Sequence, residues 1–212
     1  MFCFVVSIRA QSPSFIKGDK TTRSQIDSLI ALSRTENLPH DARVALLNDA
    51  FLLSSTLNID SLKISYFSRL SYYSSSSQNN RLFKKINSET TRLAHFINDS
   101  VALGNAYWDR GFYYSRNSIK DSSYYSYSRA QKIFEALGNS YLSARMLYNM
   151  GKQQQEIRDY VGSEANLVAA IARLKPLEKY KELYNCYNTL AIISQAMEDY
   201  DQAMYYYDEA FI

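Results

Sequence analysis

The chain has 212 residues, 46% of them hydrophobic and 21% charged, enough for one or two ordinary domains or one solenoid. Its 6 glycines and 3 prolines are too few for the many tight turns of an all-β protein, and a net charge of +3 offers no field for nucleic acid or a membrane surface. The two cysteines, Cys3 and Cys186, form neither a disulfide framework nor a zinc-ligand set, and no metal or cofactor is expected.

The N-terminal run MFCFVVSIRA reads as the end of a secretory signal peptide, residues 1–10, with cleavage after Ala10 leaving Gln11. A leader of this kind predicts an exported chain, periplasmic or tethered on the extracytoplasmic side of a membrane. A frayed apolar N-terminus on a cytoplasmic protein is the alternative. Residues 11–23 read as a linker. No stretch of about 20 apolar residues occurs, so no membrane span is expected within the segment.

A search for internal repeats organises the rest of the chain. Stepping by forty residues links Ala31, Ser71, Gly111, Gly151 and Ala191, and a second register links Ala50, Thr90, Ala130, Ala170 and Ala210; all ten are small. A third register, Phe67, Tyr107, Leu147 and Tyr187, is large and apolar, with Asp27 as its exception. A fourth, Leu47, Tyr127, Leu167 and Tyr207, is broken at Asn87. Units therefore run near 24–63, 64–103, 104–143, 144–183 and 184–212, the last incomplete, as one helical repeat domain over 24–212.

Each unit reads as two helices, predicted over 24–35 and 41–57, 61–74 and 80–97, 100–117 and 121–137, 140–157 and 160–174, and 178–197 and 200–212. In the first unit Pro39 stops one helix and Asp41 caps the next. In the second, the Ser/Gln/Asn tract from Ser74 to Asn80 reads as a longer interhelical loop, because serine runs are weak helix formers. Asp159 and Asp199 are N-caps, with Gln202 a capping-box partner for Asp199. In the last unit Tyr187, Leu190, Ala191 and Ser194 share one helical face, and Ala203, Tyr206, Tyr207 and Ala210 repeat the spacing. A small residue at a helix crossing lets two backbones approach, and a large neighbour fills the adjoining groove.

The runs LYNMG (147–151) with DY (159–160) and Ala170, YNTLA (187–191) with DY (199–200), Ala203, Tyr207 and Ala210, and AYWDRG (106–111) with Tyr127 and Ala130 resemble the tetratricopeptide repeat family. The likeness runs from about Ser24 onward and is sharpest in the last three units. The family's usual period is about 34 residues, so forty implies helices longer by nearly a turn. The resemblance implies an all-α fold, a right-handed superhelical solenoid of about five antiparallel helix hairpins. Long-period arrays resemble the sensor regions of bacterial tetratricopeptide histidine kinases and repeat-containing transcription regulators, and a leader suits the kinase type.

The chain carries no dinucleotide, phosphate-loop, zinc-protease or hydrolase motif, and no catalytic residues are expected. His40, His95 and Cys186 read as structural, and Lys175, Lys179 and Lys181 with Glu178 and Glu182 as a solvated helix face. The resemblance implies that the first helices of the hairpins line a concave peptide-binding surface. Projecting the repeat puts Ser68 and Tyr72, Trp108 and Phe112, Tyr148 and Lys152, and Asn188 and Ile192 on it, with Arg116, Gln155 and Gln195 a turn further on. Some family members clamp a C-terminal carboxylate with Lys and Asn. Here the corresponding places hold Ser68/Tyr72 and Trp108/Phe112, which disfavours that function. The groove reads as aromatic and mildly basic, suited to an extended peptide or protein segment. Packing between hairpins is the alternative role for Trp108 and Phe112.

The expected function is a non-catalytic protein- or peptide-interaction scaffold serving as the sensor region of a larger bacterial signal-transduction protein. A free-standing secreted or periplasmic adaptor is the alternative, and a repeat-type phosphatase the third reading. No nucleic-acid partner is expected. The final helix carries Ala203, Tyr206, Tyr207, Ala210 and Phe211, an apolar face that needs cover. The expectation is a further helix beyond Ile212 or a second copy of the chain, the latter giving a homodimer through the C-terminal hairpin.

Overall fold

The computed structural model describes residues 13–76 and 80–211, with side chains from Lys20 onward. The described residues form a run of α-helices without a strand: α1 (Pro13–Ser33), α2 (His40–Ser55), α3 (Asp60–Ser75), α4 (Asn80–Phe96), α5 (Ser100–Arg116), α6 (Lys120–Ala136), α7 (Ser140–Glu156), α8 (Tyr160–Leu174), α9 (Tyr180–Ala196) and α10 (Tyr200–Ala210). Each helix packs on the next, and α3 also reaches α5, and α7 reaches α9. The result is an all-α solenoid of antiparallel hairpins. No helix among the described residues is long and apolar enough to cross a membrane.

From α2 onward each helix starts twenty residues after the last, at 40, 60, 80 and so on to 200. From α4 onward one kind of turn accompanies this spacing. Asn98, Ser118, Gly138, Arg158, Glu178 and Glu198 all have positive φ, between 53° and 69°. In each case the following N–H donates to the carbonyl five residues back, as in Asp99 to Ala94, Ile119 to Tyr114, Asn139 to Phe134, Asp159 to Gln154 and Asp199 to Ser194, all at 2.9 Å. This is the Schellman arrangement, in which one left-handed residue satisfies the last carbonyls of a helix. The residue that closes it is also the N-cap of the next helix. Asp99, Asn139, Asp159 and Asp199 each accept the N–H three residues on through their side chains, at 2.9 to 3.1 Å. One helix therefore ends and the next begins on the same residue. The turn uses the minimum chain, and the extra length of the forty-residue period goes into the helices.

The small residues sit where the crossings are tightest. Ser71, Gly111, Gly151 and Ala191 are buried, as are Ala50, Thr90, Ala130, Ala170 and Ala210. A Cβ placed on Gly111 would lie 2.5 Å from the Tyr127 ring, and one on Gly151 would lie 3.0 Å from Leu167 Cγ. The small register on one helix thus meets the large register on its partner. Ser123 and Ser163 tighten the same crossings by donating to the Gly111 and Gly151 carbonyls, at 2.9 and 2.8 Å. Other buried hydroxyls bond back along their own helix, as Ser54 does to Ala50 and Thr90 to Ile86, so a serine-rich helix can be buried without orphaned polar groups.

The first two units depart from the pattern. The tenth small residue, Ala31, is exposed: α1 buries Ile26, Ile30 and Ser33 instead. Asp27, the exception in the large register, faces α3, where it accepts from Arg69 at 2.8 Å and from Tyr66 at 3.2 Å. α1 begins at Pro13 rather than near Ser24, so most of the segment expected as a linker is helical. Proline is well tolerated at a first helical position, where its missing N–H has no intrahelical partner. Pro39, not Asp41, holds the N-cap position of α2; Asp41 lies in the first turn, where its charge suits the helix dipole. α3 continues through Ser75, so the serine run is helical further than expected. Its buried hydroxyls explain this, with Ser74 donating to Ser71 and Ser75 to Tyr72. Residues 77–79, the leader expected at 1–10 and Ile212 lie outside the described residues.

Asn87 breaks the large register because α4 exchanges large for small. Phe83 stands where later units have Ser123, Ser163 and Ala203, and its ring stacks on Tyr113 with centroids 4.2 Å apart. Phe83 supplies the volume, which leaves position 87 free for a polar side chain.

Two predictions test this packing. Gly111→Ala and Gly151→Leu should each cost about 1–3 kcal/mol through overpacking, read as a lowered midpoint in thermal or urea unfolding. Gly111→Ala combined with Tyr127→Leu should recover part of the loss. At the turns, Arg158→Gly and Glu198→Gly should each stabilise by about 1 kcal/mol by relieving left-handed strain, while Gly138→Ala should do the reverse.

Candidate functional site

The first helices of successive hairpins, α3, α5 and α7, stand side by side and enclose a cleft of about 560 Å³. Most of its side chains come from two columns of the forty-residue register, with Tyr73 and, from α6, Tyr127 completing the lining. One contains Ser68, Tyr72, Trp108 and Phe112; the other contains Arg69, Asn105, Asp109, Arg145 and Asn149. Helical periodicity brings the columns together, since residues three and four apart share a face. A smaller hollow continues the surface toward α9, where Arg145, Tyr148 and Asn149 meet Lys181, Glu182 and Asn185.

Of the residues projected from the sequence, Tyr72, Trp108 and Phe112 line the main cleft, and Tyr148 lines its continuation. Arg116, Lys152, Gln155 and Asn188 line neither. Arg116 is exposed, with its guanidinium 5.7 Å from the Phe112 ring centroid. Lys152, Gln155 and Asn188 are half-buried. Tyr72 is 61% exposed and edges onto Tyr73, so the open wall of the cleft is aromatic. Trp108 reaches both the core and the cleft. Its ring meets core Phe134 edge-on at 6.4 Å, while the Arg145 guanidinium lies 4.5 Å from its centroid on the cleft side. Arg145 also stands 5.7 Å from the Tyr141 ring. A guanidinium against an indole face is held by the ring quadrupole.

The floor of the cleft is Asp109, a residue the projection did not select. A signal existed: the positions two after the large register are Arg69, Asp109, Asn149 and Thr189, polar in the last four units, with Leu29 in the first. Asp109 is 8% exposed. Burial pushes its carboxyl up to about 7, offset in part by a hydrogen bond from the Ser71 hydroxyl. Behind Ser71 a relay of polar side chains ties α3, α4 and α5 together. Asn87 Nδ2 donates to Ser71 Oγ at 3.0 Å and to the Ala106 carbonyl at 2.8 Å. Asn87 Oδ1 accepts from Arg110 Nε at 2.9 Å, and Arg110 reaches Thr91 at 3.1 Å. The Arg110 charge is thus spent on neutral partners in the relay, and among the described residues Asp109 has no ion pair. Across the cleft Tyr127 is also desolvated, and its hydroxyl is pushed up and stays neutral.

The buried carboxyl has a pH signature. Its folded-state value near 7 lies above the ordinary 3.8, so the folded chain keeps a proton that the unfolded chain releases between those values. Through this group, stability is greatest near pH 4 and falls as the pH rises toward 7 and just beyond. Asp109→Asn keeps the shape without the charge. It should match the wild type near pH 4 and exceed it at pH 8, by on the order of 2–4 kcal/mol, as measured by urea unfolding at the two pH values.

The fold is similar to that in the crystal structure of BtubC (BKLC) from P. vanneervenii, a helical-repeat protein, with a TM-score of 0.69 over 94% of this chain and 90% of that one. The two sequences are 11% identical, so the likeness is one of fold alone. No protein-family model and no curated protein matches the sequence. The chain is a helical-repeat protein.

Proposed function

We propose that the chain is a tetratricopeptide-type scaffold that holds an extended peptide or protein segment in the cleft across α3, α5 and α7, without catalysing a reaction on it. The observation that carries this reading is the open aromatic wall of Tyr72, Trp108 and Phe112 facing amide side chains of Asn105 and Asn149. Rings offer rigid apolar area at low entropic cost, and carboxamides can both donate to and accept from a peptide backbone. Stacked hairpins present such surfaces in extended form, which suits a linear ligand. The sensor region of a larger exported or membrane-tethered signalling protein is the setting we propose, on the strength of the long repeat period and the leader-like N-terminus.

Selection of a random dodecapeptide display library on the 212-residue chain tests the binding role. Enriched peptides should lose at least about tenfold in affinity, equivalent to about 1.4 kcal/mol, on Tyr72→Ala or Phe112→Ala. The melting temperature of Tyr72→Ala should stay near that of the wild type, because the ring is mostly exposed. Trp108→Ala should lose both binding and some stability, since its edge packs on Phe134. A library that yields no enriched peptide, or peptides indifferent to Tyr72 and Phe112, would remove the reading. The signalling role is tested by the full gene, in which a membrane helix and a kinase or DNA-binding domain should accompany the repeats.

A further inference from the structure

We infer that the cleft selects peptides through one lysine or arginine side chain, whose cationic end meets the Asp109 carboxylate on the floor; this rests on the peptide-binding reading and specifies its chemistry. The argument is one of unmatched charge. A carboxylate this deeply buried normally has a cation beside it, because the desolvation cost is otherwise uncompensated. Asp109 has the Ser71 hydroxyl instead. The cations that could have served are held elsewhere. Arg69 pairs with Asp27 at 2.8 Å, Arg110 bonds to Asn87 and Thr91, and Arg145 lies over Trp108.

The walls suit the stem of the same side chain. Trp108 and Phe112 flank Asp109 one residue before and three after, on the helix that lines the cleft. The methylene stem of a lysine or arginine is apolar and packs along such rings while its charged head points onward. Arg145 on the Trp108 face shows that a guanidinium is compatible with this wall. An acidic side chain would find Arg69 and Arg145 already engaged, with Asp27 and with the Trp108 ring, and would meet Asp109 as a like charge. A neutral side chain would leave the floor uncompensated.

A cation on Asp109 requires the ionised carboxylate, and burial holds that group partly protonated near neutrality. Affinity for a basic peptide should therefore climb as the pH rises from 6 to 8 and level off above. The charged and titratable side chains sharing the cleft are Arg69, Tyr72 and Tyr73 from α3, Tyr127 from α6 and Arg145 from α7. Burial pushes the Tyr127 hydroxyl up, so it stays neutral across that interval.

The experiment uses synthetic peptides resynthesised from the display selection, with each basic residue replaced in turn by glutamine. One basic position should recur among the selected peptides. Its replacement should weaken binding at least about tenfold in the wild type and about twofold or less in Asp109→Asn, which retains the hydrogen bond to Ser71. The wild-type affinity should be several-fold higher at pH 8 than at pH 6, and flat with pH in the Asn variant. The ¹³C shift of the Asp109 carboxyl should titrate at lower pH with peptide bound than without. Selected peptides that bind through Tyr72 and Phe112 yet share no basic position, or depend on an acidic one, would overturn the cationic anchor and leave the peptide-binding reading standing. A basic preference that survives Asp109→Asn would overturn it too. If no peptide is enriched, both fall together.

Discussion

In every turn from Asn98 onward, one residue adopts a left-handed conformation and the next closes a six-residue hydrogen-bonded loop to the helix just ended. Where that next residue is Asp or Asn, it also caps the helix that follows. Both sets of orphaned helix groups, the last carbonyls and the first amides, are satisfied within three residues of chain. From α4 onward the periodicity of the molecule goes with this turn. Because the connection has a fixed length, each helix enters its crossing at the same height, and a residue forty positions on occupies the equivalent place. Glycine occupies one of these left-handed positions, Gly138; Ser118, Arg158 and Glu198 accept the strain because the hydrogen-bonded turn compensates for it.

Fixed height makes size complementarity possible across the whole array. Gly111 meets Tyr127 and Gly151 meets Leu167, with a serine hydroxyl bonding the glycine carbonyl in both hairpins. In α4 the bulky residue moves one turn earlier, to Phe83, and the vacated position becomes Asn87. That exchange introduces polarity into the interior between the second and third units. Asn87 can donate twice and accept once there only because Ser71, Ala106 and Arg110 converge on it from α3 and α5. Buried networks of this kind are tolerable when each member is satisfied. The network is satisfied up to Asp109, where it opens into the cleft and leaves a carboxylate without a counter-charge. Part-exposed ion pairs, Lys120 with Glu156 and Glu135 with Arg173, bridge neighbouring hairpins.

The cleft follows from stacking rather than from any one hairpin. A polar column runs across α3, α5 and α7 and an aromatic one across α3 and α5, and neither column is a site alone. Aromatic rings that the repeat places at the margins are shared between core and cleft: Trp108 turns its edge to Phe134 and its face to Arg145. A ligand contact on Trp108 would therefore be coupled to stability, whereas Tyr72 is mostly exposed.

The sequence by itself determined the helices, the forty-residue period and the residues of the tight crossings. These features are local or periodic: cap residues, 3.6-residue spacing and small side chains recur at fixed offsets, so one chain reports them without its neighbours. It also determined that Tyr72, Trp108, Phe112 and Tyr148 would face the surface lined by the first helices. Tertiary structure decided the rest. Ala31 is exposed despite its place in the small register. Arg116, Lys152, Gln155 and Asn188 fall outside the cleft, while Asn105, Asp109 and Arg145 fall inside. The state of Asp109 could not be read from its neighbours in sequence, since its burial and its single hydrogen bond come from α3, and the cation adjacent to it in the chain, Arg110, is drawn away by Asn87 of α4. Charge compensation in an interior depends on which side chains meet in space, and in a solenoid those partners lie on helices a whole repeat apart.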